Sequence, residues 1–445
     1  MRKALLAPFV VLLLEVCLPV RLPAQTIHDV RSDCHDAFVL TTRATIESCA
    51  LAYLQMPIRP VLKTIVPGSG FGGGFTVKHT FPLVPASNLK APWRLTPTGT
   101  ALASYNRFLF LEGSLTLERP QFGCADFTGC TTAEAFKTEF FVRRVEAPRL
   151  DFYGIGNSTS QSTHVLYSER WYEGGVDIVD PATSWLDVGG GISYMQPHIG
   201  PRTNGSYPSI GTEFSATTAP GLDSQPAFAH YSIYFEPHYP ENPPFTLDYV
   251  ITYAYYSDLD DGRFSFHKFS ADLSNTFPLR IRGHFKVNPK KPRPLRDWFC
   301  GLPSKANKVC EAGDVTLRGV LTLETAAAGQ TVPFYLQPTL GGANLQDIDT
   351  LRGFADYRFR APNALYLQAE YSHTLPWKFQ WLKLLTFYDV GQVGVSAGDL
   401  GFDQLHQDFG LGIIVSAAGH EIARAYVGFG GGEGQQWNGK FGSPF

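Results

Sequence analysis

Beyond residue 24 no stretch of this chain approaches the roughly 20 consecutive apolar residues of a membrane-spanning helix. Instead, from Phe71 onward, runs of about ten residues alternate apolar and polar side chains between turn residues. A period of two puts alternate side chains on opposite faces of a strand. In residues 364–375, Leu365, Leu367, Ala369, Tyr371 and Leu375 share one face, and Gln368, Glu370, Ser372 and Thr374 the other. In residues 405–415, Phe409, Leu411, Ile413 and Val415 oppose His406, Asp408, Gly410 and Gly412. One such strand fits a soluble sandwich equally well. A long succession of them behind an export signal favours a closed barrel, the only alternative to helices that satisfies every backbone group in lipid.

The export signal is at the start. Arg2 and Lys3 precede an apolar run, Ala4 to Val20, broken only by Glu15, and Leu22-Pro23-Ala24 offers a cleavage site before Gln25. The run is too short and interrupted for a membrane anchor, and Glu15-Val16 before Cys17 lacks the small residue of a lipoprotein site. The expected organisation is a signal peptide over 1–24, a short periplasmic segment over 25–70 with a helix over 37–56 ending at Pro57, and a barrel over 71–445.

Composition agrees. Charged residues are 17% of the 445, against about 25% in soluble domains, and aromatics reach 13%, with 33 Phe, 20 Tyr and 43 Gly. The net charge of −3 gives no reason to expect a nucleic-acid partner. The partners implied are outer-membrane lipid and, because the aromatic C-terminal residues Phe441 and Phe445 look like a targeting strand, the barrel-assembly machinery during biogenesis.

The alternating runs number about 16, an even count that leaves both ends on the periplasmic side. They fall near 71–80, 93–104, 106–119, 136–144, 148–155, 164–179, 183–195 and 226–236. The rest fall near 246–256, 263–275, 313–326, 363–375, 383–394, 405–416, 420–430 and 436–445. This register puts residues 120–135 outside the cell. It puts 279–312, with Lys286, Lys290, Lys291, Arg293 and Arg296, in the periplasm; that basic run suits anionic headgroups or a solvated Pro-rich loop.

Export of the chain leaves six cysteines in three local pairs, Cys34–Cys49, Cys124–Cys130 and Cys300–Cys310. An oxidising compartment and short closures favour disulfides, and none of the pairs has the CxxC spacing of a metal site. No cofactor or metal is implied. The chain has no GxSxG element. Gly419-His420-Glu421 lacks a second zinc-binding His, and Asp258, Asp260 and Asp261 before Gly262 read as a polar hairpin turn sooner than a calcium loop. An enzyme is not expected.

The C-terminal third carries a family resemblance. A long connection begins near Val332-Pro333-Phe334-Tyr335, runs through Gly341-Gly342 and reaches Leu351-Arg352-Gly353-Phe354. Ala369-Glu370-Tyr371 and Phe387-Tyr388-Asp389-Val390-Gly391 follow, and the chain ends Lys440-Phe441-Gly442-Ser443-Pro444-Phe445. Together with Phe152-Tyr153-Gly154-Ile155-Gly156-Asn157, these resemble the BamA/TamA-type barrels of the bacterial surface antigen superfamily, which assemble or translocate outer-membrane proteins. The resemblance implies an all-β, antiparallel transmembrane barrel of 16 strands in the bacterial outer membrane, with an extracellular loop inserted in the lumen. It pairs Arg352 of that loop with Asp389 and, as second acid, Glu370; the polar-face parity of both acids agrees independently. Gly353 would let the backbone turn closely and Phe354 would pack on the wall. Phe441 and Phe445 look like the C-terminal targeting strand. Family members that handle clients usually carry periplasmic POTRA domains, for which residues 25–70 leave no room, so a separate periplasmic partner is the expectation. The function implied is insertion or translocation of client proteins, with Gly70, Gly72, Gly73 and Gly74 marking either a weak seam in the first strand or a tight corner. The alternative is a passive channel or structural barrel without client insertion.

Overall fold

The computed structural model describes residues 57–83, 93–120, 135–183, 185–237, 245–282, 309–375, 381–417 and 420–441. Outside them lie the expected signal peptide and the helix over 37–56. Cys34, Cys49, Cys124, Cys130, Cys300, Phe445 and the basic residues from Lys286 to Arg296 also lie outside. Of Cys310 only the backbone is described, paired with Ile281 inside a strand.

The described residues form one antiparallel sheet of sixteen strands curled into a nearly closed barrel. The strands are β1 Ile58–Thr64, β2 Phe71–Lys78 (continued at Phe81–Pro82), β3 Arg94–Ser104, β4 Leu109–Pro120, β5 Ala135–Phe152 and β6 Val165–Thr183. Next come β7 Leu186–Pro201, β8 Phe228–Pro237, β9 Thr246–Asp258, β10 Phe266–Arg282 and β11 Val309–Thr325. The last are β12 Asn363–Thr374, β13 Leu382–Gly394, β14 His406–Ala417, β15 His420–Gly430 and β16 Gln435–Phe441. Each strand pairs with the next. β1 and β16 lie side by side with no paired register among the described residues, and this is the seam of the barrel.

The expected count holds because two errors cancel. The barrel begins at Ile58, not at 71; β1 is seven residues containing Arg59, Pro60 and Lys63, too short and too interrupted to stand out. Conversely, the runs near 136–144 and 148–155 are one strand. Pro148, which cannot donate to a ladder, sits at a bulge between Ala147 and Leu150, after which pairing with β6 resumes. The extra strand has two consequences. The end of β4 and the start of β5 lie at the same rim as the end of β10 and the start of β11, not at the opposite one. The glycine-rich β2 is fully paired on both sides, so it is not the seam. Its glycines answer to sterics: a Cβ at Gly74 would lie 1.8 Å from the carbonyl oxygen of Ala101.

The alternation of the sequence becomes an outward apolar face and an inward polar one. Leu367, Leu384, Tyr388, Phe409, Leu411, Ile413 and Trp437 are exposed, as a lipid-facing surface requires, while Phe387, Asp389, Asp408 and Tyr426 on the other parity are buried. At the rim opposite the chain ends, long connections pack together over an aromatic core. Phe334 and Tyr335, in the β11–β12 connection, meet Phe152 of β5, Tyr167 of β6 and Phe228 of β8. The connection 153–164 reaches across to β13 and β14, where the Asn157 side chain accepts a bond from the Val393 amide and donates one to the Gln404 carbonyl.

Candidate functional site

The β11–β12 connection, residues 326–362, turns back on itself through a two-residue hairpin in which Thr339–Leu340 pairs with Phe359–Arg360. Gly341 and Gly342 hold φ of +109° and +54°, which a side chain would resist, and a Cβ at Gly341 would meet the Ala355 carbonyl at 2.4 Å. Beyond them Asn344 organises the tip, its side-chain oxygen accepting bonds from the amides of Gln346 and Ile348.

Arg352 emerges from this tip 2% exposed. Its Nε and Nη2 donate to the two oxygens of Asp389, each at 2.8 Å, and Nη1 bonds Glu370. The guanidinium lies 3.8 Å from the ring centroid of Phe387. Burial opposes the charge on Arg352, but the bonds to Asp389 and the charges of both acids outweigh it and raise its pKa. This is a bidentate, charge-assisted pair of the geometry guanidinium and carboxylate share.

Gly353 and Phe354 fix the loop against β14 and β15 by shape. A Cβ on Gly353 would meet the Gly430 amide nitrogen at 2.7 Å, and one on Gly430 would meet the Gly353 carbonyl at 2.5 Å. Gly353 is therefore required by close approach of two backbones, not by a turn. Phe354 is buried beside Phe359 and His406. All five residues picked out from the sequence, Arg352, Gly353, Phe354, Glu370 and Asp389, thus meet in one place. Phe441 ends β16, and its side chain is outside the described set.

The register exposes a pattern that sequence reading missed. Asp389 of β13 stands directly opposite Asp408 of β14, and Arg424 of β15 directly opposite Lys440 of β16. Like charges facing each other across strands destabilise a sheet. The loop supplies the opposite charge to each pair. Arg352 binds Asp389, while Asp349 sits 2.6 Å from Lys440 and 3.8 Å from Arg424, and accepts a bond from Tyr426. Arg424 also pairs with Glu370 at 3.1 Å. Asp408 lies beside the Gly353 amide and Asp389, and no cation is bonded to its oxygens among the described residues. The signal was present in the sequence as inward-parity cations on the last two strands, but their opposition needs the register.

Two further arginines join the loop to other parts of the wall. Arg358 bonds Glu433 and the hydroxyl and carbonyl of Thr159. Arg360 donates to the Phe334 carbonyl and the Tyr167 hydroxyl. Beside them a polar cavity of about 430 Å³ is lined by Asp151, Tyr153, His164, Tyr207, Asp356 and Asn438. Burial pushes the Asp356 carboxyl up to about 7, against the opposing effect of the Ala343 amide it accepts.

The other sequence motifs have structural roles. Both oxygens of Asp258 accept backbone amides, of Asp260 and Phe264, and Asp261 accepts that of Arg263, as in a tight polar turn. Glu421 pairs with Arg424, and Gly419 lies outside the described residues. No group of metal-binding side chains occurs among the described residues.

No protein-family model and no curated protein sequence matches the chain. Solved structures do. BamA from Haemophilus ducreyi lacking POTRA domains 1–3 is similar over 86% of this chain and 69% of its own, with a TM-score of 0.50 at 13% identity. CdiB from Escherichia coli is similar over 87% of this chain and 62% of its own, with a TM-score of 0.50 at 10% identity. The chain therefore spans less than two thirds of CdiB. At these identities the likeness is one of fold: a 16-stranded barrel of the BamA type.

Proposed function

We propose that this chain is a bacterial outer-membrane barrel acting in the insertion or translocation of outer-membrane client proteins, with residues 326–362 folded into the lumen as a lock. The observation that carries this reading is the matching of charge between loop and wall. Two like-charged pairs face each other on successive strands, and one loop brings an opposite charge to each; within the sheet, among the described residues, only Arg424 has acids beside it, Glu370 and Glu421. A barrel that only needed to be rigid would be served better by apolar or neutral residues there, because replacing buried ion pairs by packed apolar side chains often costs nothing. A charge-matched loop can instead be released and re-seated. The cation pair it covers lies on β15 and β16, beside the seam with β1, so seating the loop and holding the seam become one event. The BamA-type fold supports the same reading, and a separate periplasmic protein would supply client delivery.

The discriminating experiment uses purified protein in lipid vesicles. Accelerated folding of a second, urea-denatured barrel protein supports client insertion, and the acceleration should be lost when β1 and β16 are cross-linked by a disulfide. Ion conductance without any effect on a second barrel would establish the passive channel in its place.

A further inference from the structure

The outward face of the barrel is almost free of charge, with one exception. Arg144 and Glu146 of β5 and Arg170 of β6 stand on the same parity as the exposed apolar residues Phe140 and Ile178. The Arg144 Nε bonds Glu146 at 3.1 Å, and the Arg170 Nε lies 3.0 Å from the same carboxylate. His198 of β7 is directly opposite Arg170 and exposed. Among the described strand residues, the other outward-parity charges, Arg119, Asp151, Asp180 and Glu421, fall in the first or final residues of their strands, and Arg149 sits in the bulge. Every other Asp, Glu, Lys or Arg of the barrel strands whose side chain is described has inward parity or lies at a strand end.

The height of this patch identifies its surroundings. Phe136, on the same face of β5, packs on Trp93 with ring centroids 6.0 Å apart, and the Arg119 guanidinium covers Trp93, as at the lower interface of a membrane. From Phe136 to Arg144 is eight residues, about 26 Å along a strand and about 20 Å of height at a tilt of about 40°. That is close to the thickness of the apolar band, about 25 Å. At the same level stand Tyr172, with the Arg144 guanidinium 5.2 Å from its ring centroid, and the exposed Tyr194 and Tyr231. An aromatic girdle with cations on its outer edge marks the headgroup layer.

We propose that Arg144 and Arg170, with His198, bind the phosphate of a lipid headgroup in the leaflet on the side of the long loops. The inference rests on reading the chain as a membrane barrel. One carboxylate, Glu146, is shared between two guanidiniums, so the patch has a positive charge left over and guanidinium donors turned to the membrane. Arg170 is 51% exposed despite its ion pair. Guanidinium groups are the side chains best matched to phosphate oxygens, and a patch of this sign beside lipid is complementary to phosphorylated headgroups.

The test is native mass spectrometry of the full chain released from micelles doped with diphosphoryl lipid A, dephosphorylated lipid A or phosphatidylcholine. Insertion and a heat-dependent gel shift are checked first, and their absence would overturn the barrel reading itself. The wild type should retain diphosphoryl lipid A about tenfold over the other two, a difference of about 1.4 kcal/mol. Arg144→Gln with Arg170→Gln should abolish the preference, and Glu146→Gln, which frees both guanidiniums, should strengthen it. Displacement of the lipid by millimolar inorganic phosphate would overturn the assignment to a lipid headgroup. Equal retention by the double variant would overturn the site. So would a lipid-free dimer that the double variant dissolves, which would make the patch a contact between copies. Should the double variant fail to fold, Glu146→Gln alone decides, since loss or constancy of binding there contradicts the proposal.

Discussion

Asp389 and Asp408 are two buried carboxyl groups facing each other across β13 and β14, yet only Asp389 is bonded to Arg352. The pair makes sense only with the loop in place, and the asymmetry between its members separates their mutational effects. Asp408→Asn removes the repulsion and leaves the Arg352 bonds intact, so barrel melting on a gel should be unchanged or raised. Asp389→Asn should lower it. Equal destabilisation by both would mean that the acids act as a unit.

Arg352→Ala leaves Asp389 without a cation, whereas Glu370 keeps Arg424. Breaking a buried pair typically costs about 3–5 kcal/mol, and water in the barrel interior should reduce that here. The loop over 342–360 should become sensitive to protease and the barrel should melt earlier. Arg352→Lys should fall between, because it keeps the charge and loses the planar fork. Unchanged protection and melting in Arg352→Ala would reduce Arg352 to an ordinary loop residue.

Asp349 and Lys440 join the loop tip to the seam strand at 2.6 Å. Lys440→Gln should cost about 1.5–3 kcal/mol, the range of a hydrogen bond to a charged group. It should also raise the client-folding activity of the barrel if the loop restrains the seam. The exchange Asp349→Lys with Lys440→Asp should restore much of the loss. A swap no better than the single variants would show that the two side chains are not coupled.

Loop protection should depend on pH through Asp356 and Asp349. Burial raises the Asp356 carboxyl from its ordinary 3.8 to about 7. The folded loop therefore binds a proton that the released loop gives up, and stability falls as pH rises from about 4 to 7. Asp349 acts oppositely: burial is outweighed by Lys440 and Arg424, its carboxyl is held below 3.8, and its contribution is lost as pH falls through that lowered value. Protection from protease should be greatest near pH 4–5. Asp356→Asn should remove the decline toward neutral pH, and persistence of that decline would assign it to another group.

Surface labelling should distinguish rim from interior. The sequence alone suggests that 342–350 can be labelled from outside, but Asp347 and Asp349 lie beside Lys440, near the far end of β16. A cysteine replacing Tyr105, 97% exposed, or Phe402, 73% exposed, should react with an impermeant reagent on intact cells. One replacing Gln346 should react only when combined with Arg352→Ala. Labelling of the Gln346 position in the otherwise native chain would place the loop outside the barrel.

What the sequence determined by itself was the class of fold and the strand parity of Asp389 and Glu370; the choice of Arg352 as their partner came from a resemblance. Period-two alternation is a local property of a strand, so Phe409, Leu411 and Ile413 could be assigned outward and Asp389 inward without coordinates. Arg352 was legible because its motif has a fixed order along the chain. Other features were not legible because they depend on register and on contacts between distant residues. Pro60 in β1 and Pro148 in β5 disguised one strand and divided another, and only ladder pairing resolves them. The opposition of Asp389 to Asp408 and of Arg424 to Lys440 follows from how strands are aligned, to which no single strand contains a clue. The match of Asp349 to those cations follows from how the loop folds against the last two strands. Gly353 shows the difference most directly: its conformation did not require glycine, but the backbone of Gly430, 77 residues later in the chain, left no space for a side chain.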